Sequence, residues 1–404
     1  MSDVEMKASA DELLADRVES SRALGGNPEF CMHGGGNTSV KVERAGKRVM
    51  HVKGSGWDLA TIEAEGLPGL WLDPLYTVQD GTRLSDTEMV RFLRSHLLDD
   101  GAPNPSVETL LHAYLPARFV DHGHASAVLA IADQPEARQR EIVADLFGDG
   151  IAFLPYVFPG FDLSIEGARL AAAHPGATGM WLAHHGLFTW GETADESLDR
   201  FGRAVRACED FLAKADAALV PPTERQGNPA LDAVADRLVA CLAGQGPFAG
   251  GVHVDARGAG PLPELSAREG MADAVSRGTI TPDHVIRIKP WPLVVAPDAP
   301  KAALFESLDR FASRYRAYFD ENAPRAPEPL TMLDVLPRVA FVPGAGIIGL
   351  GRTPKEAAIH ADLAEQNLRV VASAEAFGTY TPIPRHEQFL IEYWELEQAK
   401  LRGS

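Results

Sequence analysis

Cysteine is scarce: Cys31, Cys208 and Cys241 are spread over 404 residues, and none stands in a C-x-x-C pair. An odd, scattered set builds neither a disulfide framework nor a cysteine zinc site, and it suits a reducing compartment. Long apolar runs are absent as well. No stretch approaches the roughly 20 residues that cross a bilayer, so no membrane span is expected. Basic charge is also short, with 38 Lys and Arg against 56 Asp and Glu and a formal net charge of −18. That balance argues against nucleic acid or an anionic membrane as the main partner. The opening stretch, MSDVEMKASADELLADRVES, is acidic and helical in pattern, unlike a secretory signal or an Arg-rich transit peptide. A cytoplasmic protein is therefore expected.

What is present describes a globular chain, 45% hydrophobic and 23% charged. At 404 residues it exceeds one ordinary core, so two domains are expected. The layout begins with a helix over 8–25. A glycine-rich turn, HGGGNTS (His33 to Ser39), leads into a strand pair, and short strands and turns run to about Asp80. Residues 84–101 predict a helix capped by Ser85 with Glu88, and 105–119 a second one starting at Pro105 and bounded by Pro116. A helix is expected near 134–147, a central strand or hairpin over 179–191, and a long helix over 193–219. PPTERQGNP (221–229) has the composition of a linker. The expected domains are thus 1–222 and 223–404.

The second half carries a fainter copy of the end of the first. AHHGLFTWGETADES (183–197) aligns with PGAGIIGLGRTPKEA (343–357), matching Gly186 to Gly346, Gly191 to Gly351, Thr193 to Thr353 and Glu196 to Glu356. Each Thr-x-x-Glu is a capping box after an apolar hairpin. His184 and His185 fall on Gly344 and Ala345, so this copy would carry no metal ligand. The run Gly344-x-Gly346-x-x-Gly349 also matches a dinucleotide fingerprint, yet its helix signal arrives only at Thr353-Pro354. A true fingerprint opens its helix within the glycines, so nicotinamide binding is not expected here.

Chemistry is concentrated in VDHGHASAV (120–128), which reads as a mostly buried strand. Alternation puts His122 and His124 on one face. Two core imidazoles need partners, either hydrogen-bonding groups or a metal ion for which neutral imidazole is a favoured ligand. Candidate further ligands are the His184-His185 pair and Glu108. On a strand only one of two neighbours would reach the same ion. Glu108, taken alone, reads as a first-turn helix carboxylate, and His112 four residues on reads as its solvated partner. The glycine turns HGGGNTS and Lys53-Gly-Ser55-Gly56 are either tight hairpin turns or loops whose N–H groups converge on an anion.

The order GNTS, KGSG, PSVE, HGH, HHG resembles the class II aldolase/adducin family over roughly residues 10–220. TPDHVIRIKPWPLVV (281–295) and IEYWELEQAKL (391–401) make residues 220–400 look like the aldolase portion of bifunctional rhamnulose-1-phosphate aldolase/short-chain dehydrogenase proteins. In those proteins a dinucleotide-binding dehydrogenase follows at the point where this sequence stops. The resemblance implies an α/β fold: a class II aldolase-like central mixed or antiparallel sheet flanked by helices, with a second, smaller α/β domain that is a candidate degenerate repeat. It implies that His122, His124 and His185 hold a divalent metal, zinc before others, and that Glu108 is the catalytic acid/base. Asn37, Ser55, Gly56 and Ser106 fall at positions that hold a substrate phosphate, and Lys53 could add charge there. A homo-oligomer, often a tetramer, is also implied.

The implied reaction is carbohydrate chemistry by a lyase: retro-aldol cleavage of a ketose 1-phosphate to dihydroxyacetone phosphate and an aldehyde. Related folds run decarboxylation, epimerisation and dehydration through the same metal-stabilised enolate. Val107 stands in PSVE where the family has a second serine, which keeps a non-phosphorylated keto-acid substrate in view. A non-catalytic, adducin-like role is the third reading; adducin-type domains have lost the ligands retained here.

Overall fold

The computed structural model describes residues 8–79 and 82–400. Residues 1–7 of the acidic opening stretch, the expected limit at Asp80, and Leu401 of the last quoted motif lie outside the described residues. The chain divides into two compact units. Among the described residues, one takes the chain from 8 to Val128 together with Glu136–Cys208; the other takes Leu129–Pro135 and the chain from Glu209 to 400.

In the first unit seven strands form a mixed sheet: β1 (Asn37–Arg44), β2 (Lys47–Val52), β3 (Gly69–Trp71), β4 (Phe119–Gly123), β5 (Ile151–Leu154), β6 (Gly179–Leu182) and β7 (Gly186–Gly191), in the order β3-β2-β1-β4-β7-β6-β5. Neighbours are antiparallel except β5 with β6. Helices flank it, as the fold class expected. The opening helix, Ala10–Gly25, starts at Ser9, whose hydroxyl and Glu12 form a reciprocal capping box. Its buried Arg17 donates to Asp121 Oδ1 at 2.6 Å and to the Ser39 and Val120 carbonyls. One cation thus ties β1 to β4 from the face opposite His122. Replacing Arg17 with Met leaves the Asp121 carboxylate, itself fully buried, without its counter-charge. The expected loss is about 3–5 kcal/mol of stability, read by urea unfolding of the two proteins. A loss under about 1 kcal/mol would mean that the pair contributes nothing net.

Two helices are shorter than the sequence pattern suggests, for the same reason. The helix capped by Ser85 and Glu88 is Asp86–Arg94 rather than 84–101, because the backbone after it pairs with β3: Trp71 N donates to His96 O and Leu98 N to Gly69 O. The second, Thr109–Tyr114, starts four residues after Pro105, because Pro105 and Ser106 pair with the Lys53–Gly54 backbone instead; it ends ahead of Pro116, the expected bound. The stretch 120–128 is not one strand. β4 ends at Gly123, and a helix of apolar residues, Ser126–Ala132, begins three positions on.

The second unit contains a four-stranded sheet of β8 (His253–Arg257), β9 (Leu293–Val294), β10 (Val339–Val342) and β11 (Gly346–Gly351), in the order β8-β11-β10-β9. It repeats the arrangement β4-β7-β6-β5. Leu182 faces Gly186 as Val342 faces Gly346, and Met180 faces Phe188 as Ala340 faces Ile348. β5–β6 and β9–β10 are both parallel. The likeness reaches side chains. Arg200 donates to the Trp190 carbonyl, and His360 makes the matching contact with Leu350 O. A methyl added at Gly186 would meet Gly123 O at 2.6 Å, and one at Gly346 would meet Arg257 O at 2.1 Å. By this register Ala256 takes the place of His122, Gly258 that of His124 and Ala345 that of His185. Where the first unit has imidazoles, the Asn228 amide bridges the Gly258 and Ala345 carbonyls. The glycines of the 344–349 run serve packing: a methyl at Gly349 would strike the Ala357 carbonyl at 2.3 Å. The following helix starts only at Pro354, after Thr353 as its cap.

Candidate metal centre

β4 brings His122 in opposite Phe188 of β7, and the two rings stack at 4.1 Å. His122 Nδ1 lies 3.1 Å from the Leu187 carbonyl. A carbonyl only accepts, so the ring hydrogen sits on Nδ1 and Nε2 presents a lone pair. His124 lies one residue beyond the strand, and its Nε2 is 3.1 Å from His122 Nε2. The third ring comes from the turn between β6 and β7. There His184 adopts a left-handed backbone, φ 56°, and consecutive histidines separate: His184 Nε2 meets Gln139, whereas the His185 ring lies 5.0 Å from that of His122 and 5.1 Å from that of His124. Only one of the pair joins the cluster, as expected, but a turn and not strand alternation separates them. Ligand atoms of His122, His124 and His185 all lie within 4.8 Å of one another, and all three side chains are buried.

Glu108 closes the group. It stands at the N-cap position of the helix Thr109–Tyr114, without a side-chain capping bond, and is not part of its first turn. Its Oε2 is 3.6 Å from His122 Nε2 and its Oε1 is 3.7 Å from His185 Nε2. Oε1 is buried and has no hydrogen-bond donor among the described residues. Burial pushes the Glu108 carboxyl up, but His122, His185 and the Asn37 amide outweigh it and hold the carboxyl at about 2. The donor set fits a divalent cation. One hydrogen could bridge His122 and His124, yet it leaves a third imidazole and an orphaned carboxylate oxygen facing the same point, whereas three imidazoles with a carboxylate are a zinc-type ligand set.

Asn37, the first residue of β1, links these groups. Its Nδ2 donates to Glu108 Oε2 at 2.6 Å and to Ser106 Oγ at 3.2 Å, and its Oδ1 faces His112 Nε2. His112 is not the solvated partner of Glu108. It is fully buried, with Nδ1 2.8 Å from Ser39 Oγ, and burial pushes its imidazole down to about 3 despite the nearby Glu108 carboxylate. Sequence reasoning named this residue but missed its burial and its partners; the signal was a histidine set inside the apolar run TLLHAY. The Lys53–Gly56 loop lies against Asn104–Ser106, with Ser55 N on Asn104 O at 2.7 Å and Ser106 N on Lys53 O at 3.0 Å. Asn37, Ser55, Gly56 and Ser106 thereby share one region of backbone. Lys53 is buried there, but its Nζ donates to the Gly34 carbonyl at 2.7 Å.

Comparison with known proteins places the chain. The class II aldolase and adducin N-terminal domain matches residues 15–212, and the second domain of class II aldolases matches residues 231–401. The chain belongs to the class II aldolase and adducin family. It is 30% identical to an uncharacterized oxidoreductase, YuxG, of Bacillus subtilis, over 99% of this chain and 60% of that protein. The chain thus spans about 60% of the length of that relative. Among solved structures, an N-terminal class II aldolase domain of a conserved Thermoplasma acidophilum protein is 36% identical, covering 52% of this chain and 99% of its own, with a TM-score of 0.46. An L-fuculose-1-phosphate aldolase from Thermus thermophilus is 18% identical, covering 50% and 94%, with a TM-score of 0.34. Among the described residues, no helix is long and apolar enough to cross a membrane.

Proposed function

We propose that the chain is a divalent-metal-dependent aldehyde-lyase that cleaves a ketose 1-phosphate of the rhamnulose 1-phosphate type to dihydroxyacetone phosphate and an aldehyde. The observation that carries this is the buried convergence of His122, His124, His185 and Glu108. His122, His124 and His185 would hold the metal, zinc by its donor set, with Glu108 as a further ligand while substrate is absent. When bound, such a cation supplies Lewis-acid stabilisation of the negative charge that a retro-aldol step leaves on oxygen. Glu108 is ionised at neutral pH and so meets the substrate as a base: it takes a proton on Oε1 or Oε2 and returns it to the carbon skeleton later in the cycle. Both hydrogens of the Asn37 amide are committed to Glu108 and Ser106, so Asn37 is free for a substrate phosphate only once Glu108 turns away. Asn37, Ser55, Gly56 and Ser106 would receive that phosphate. Lys53 would hold the Gly34 loop and lend its charge. Residues 1–222 would be the catalytic domain and 223–404 a domain without metal ligands, the whole a cytoplasmic homo-oligomer, a tetramer by family precedent.

Val107 favours a second reading, a sister metal-enolate lyase or isomerase acting on a non-phosphorylated keto acid, because it removes a hydroxyl from the phosphate region. The test is retro-aldol turnover of rhamnulose 1-phosphate, followed by coupled detection of dihydroxyacetone phosphate, with inorganic phosphate as competitor. Turnover inhibited competitively by phosphate is expected. A zinc-replete protein that neither turns over nor binds phosphate would overturn the phosphorylated substrate and leave the keto-acid reading.

A further inference from the structure

Four side chains from three elements form an unbroken series behind the metal centre: Ser39 and Asn37 on β1, His112 on the helix Thr109–Tyr114, and Glu108 just before it. All four are buried, Ser39 and His112 completely. Donor and acceptor roles follow from one end. An ionised carboxylate only accepts, so the Asn37 atom 2.6 Å from Glu108 Oε2 is its NH2 group. The other end of the amide, Oδ1, must then accept, and its neighbour His112 Nε2 must carry the ring hydrogen. A neutral imidazole keeps no second hydrogen, so Nδ1 accepts from the Ser39 hydroxyl.

We propose that His112 is a positioning residue that acts through Asn37: it fixes which end of the amide faces Glu108, and thereby holds that carboxylate toward His122 and His185. This rests on the reading of Glu108 as the base. An amide turned end for end would set its carbonyl oxygen against the carboxylate, two acceptors facing each other at a buried position. Glu108 calls for the NH2 end of the amide, whereas Ser106 Oγ can either donate or accept and adds no preference. His112 adds the second constraint: its Nε2–H satisfies the buried Oδ1 only in that orientation, and the Ser39 hydroxyl can then donate to Nδ1. Groups that orient a metal-site side chain from behind typically change activity about 10–100-fold when lost.

The experiment uses His112→Leu, His112→Gln, Ser39→Ala and Glu108→Gln, alone and combined, on the full chain loaded with zinc. His112→Leu is expected to lower kcat about 10–100-fold with KM nearly unchanged. His112→Gln, which can return an N–H to Asn37 Oδ1, is expected to recover most of that loss. In the Glu108→Gln background His112→Leu should add less than about twofold, since residues acting as a unit are not additive. Equal losses for Leu and Gln, or full additivity with Glu108→Gln, would overturn the proposal in favour of plain packing. Should His112→Leu fail to fold, Ser39→Ala carries the kinetic arm, with an expected loss of about fivefold for one hydrogen bond. A readout independent of turnover is the His112 tautomer in the wild-type protein, from 15N–1H multiple-bond correlation spectra. Hydrogen on Nε2 supports the relay, and hydrogen on Nδ1 overturns it. If Glu108→Gln alone leaves kcat intact, the base assignment fails, while the tautomer still decides the relay.

Discussion

Replacing His185 with alanine is expected to strip the protein of its divalent metal and, with it, of catalysis. The wild type should retain about one ion per chain after dialysis, because only one cluster of ligating side chains is present among the described residues and three imidazoles suffice to hold zinc. Loss of one of three leaves two imidazoles and Glu108, one donor fewer than the substrate-free wild type has, and the ion is expected to be lost on dialysis. A metal stabilising charge in the transition state is worth several kcal/mol, so turnover should fall by about a thousandfold or more. Thermal denaturation gives an independent reading. A ligand present at about a thousand times its Kd adds about 4 kcal/mol to the folded state, so added zinc should raise the wild-type Tm and leave that of His185→Ala unmoved. The neighbouring substitution, His184→Ala, is the control. His184 turns to Gln139, so its loss should leave the metal in place. Retention of stoichiometric metal by dialysed His185→Ala would refute the triad. The second unit cannot compensate, because its matching positions hold Ala256, Gly258 and Ala345.

Much of this site was legible in the sequence, and the misreadings have a common origin. Strand alternation was enough to put His122 and His124 on one side, although His124 lies past the end of β4. The repeat was legible because hairpin, capping box and glycine spacing are all local. What local pattern could not supply was the partner of each polar group. Glu108 and His112 stand four apart on one chain segment, which suggests a solvated pair; only the arrival of Asn37 and Ser39, some seventy positions away, turns them inward. Helix length failed in the same way. Propensity and capping extend the helices on either side of residue 100, but the backbones at His96, Leu98 and Ser106 have long-range strand and loop partners, and these bonds end the first helix early and start the second late. Lys53 was read by its charge alone; its Nζ also donates to the Gly34 carbonyl, a structural bond that charge does not announce. A lysine's reach lets it serve a loop as readily as a ligand.

The Glu108→Gln protein should bind metal and substrate and turn over almost nothing. Glutamine has the shape of glutamate, and its carbonyl can still accept from Asn37 Nδ2, so the hydrogen-bonded frame that places residue 108 survives. Three imidazoles remain for the ion. Only the capacity to take a proton disappears, and general-base catalysis of that kind is worth about 10²–10⁴-fold. The expected pattern is therefore a fall of that size in kcat with KM little changed, since the lost interaction belongs to proton transfer and not to binding. A kcat within about threefold of wild type would remove Glu108 from the mechanism. A lost metal together with a lost kcat would instead make it an obligatory ligand. The result does not depend on which substrate reading holds: a phosphorylated ketose and a plain keto acid both need a proton moved at the carbon next to the carbonyl. Phosphate competition separates the substrates, and Glu108→Gln tests the chemistry they share.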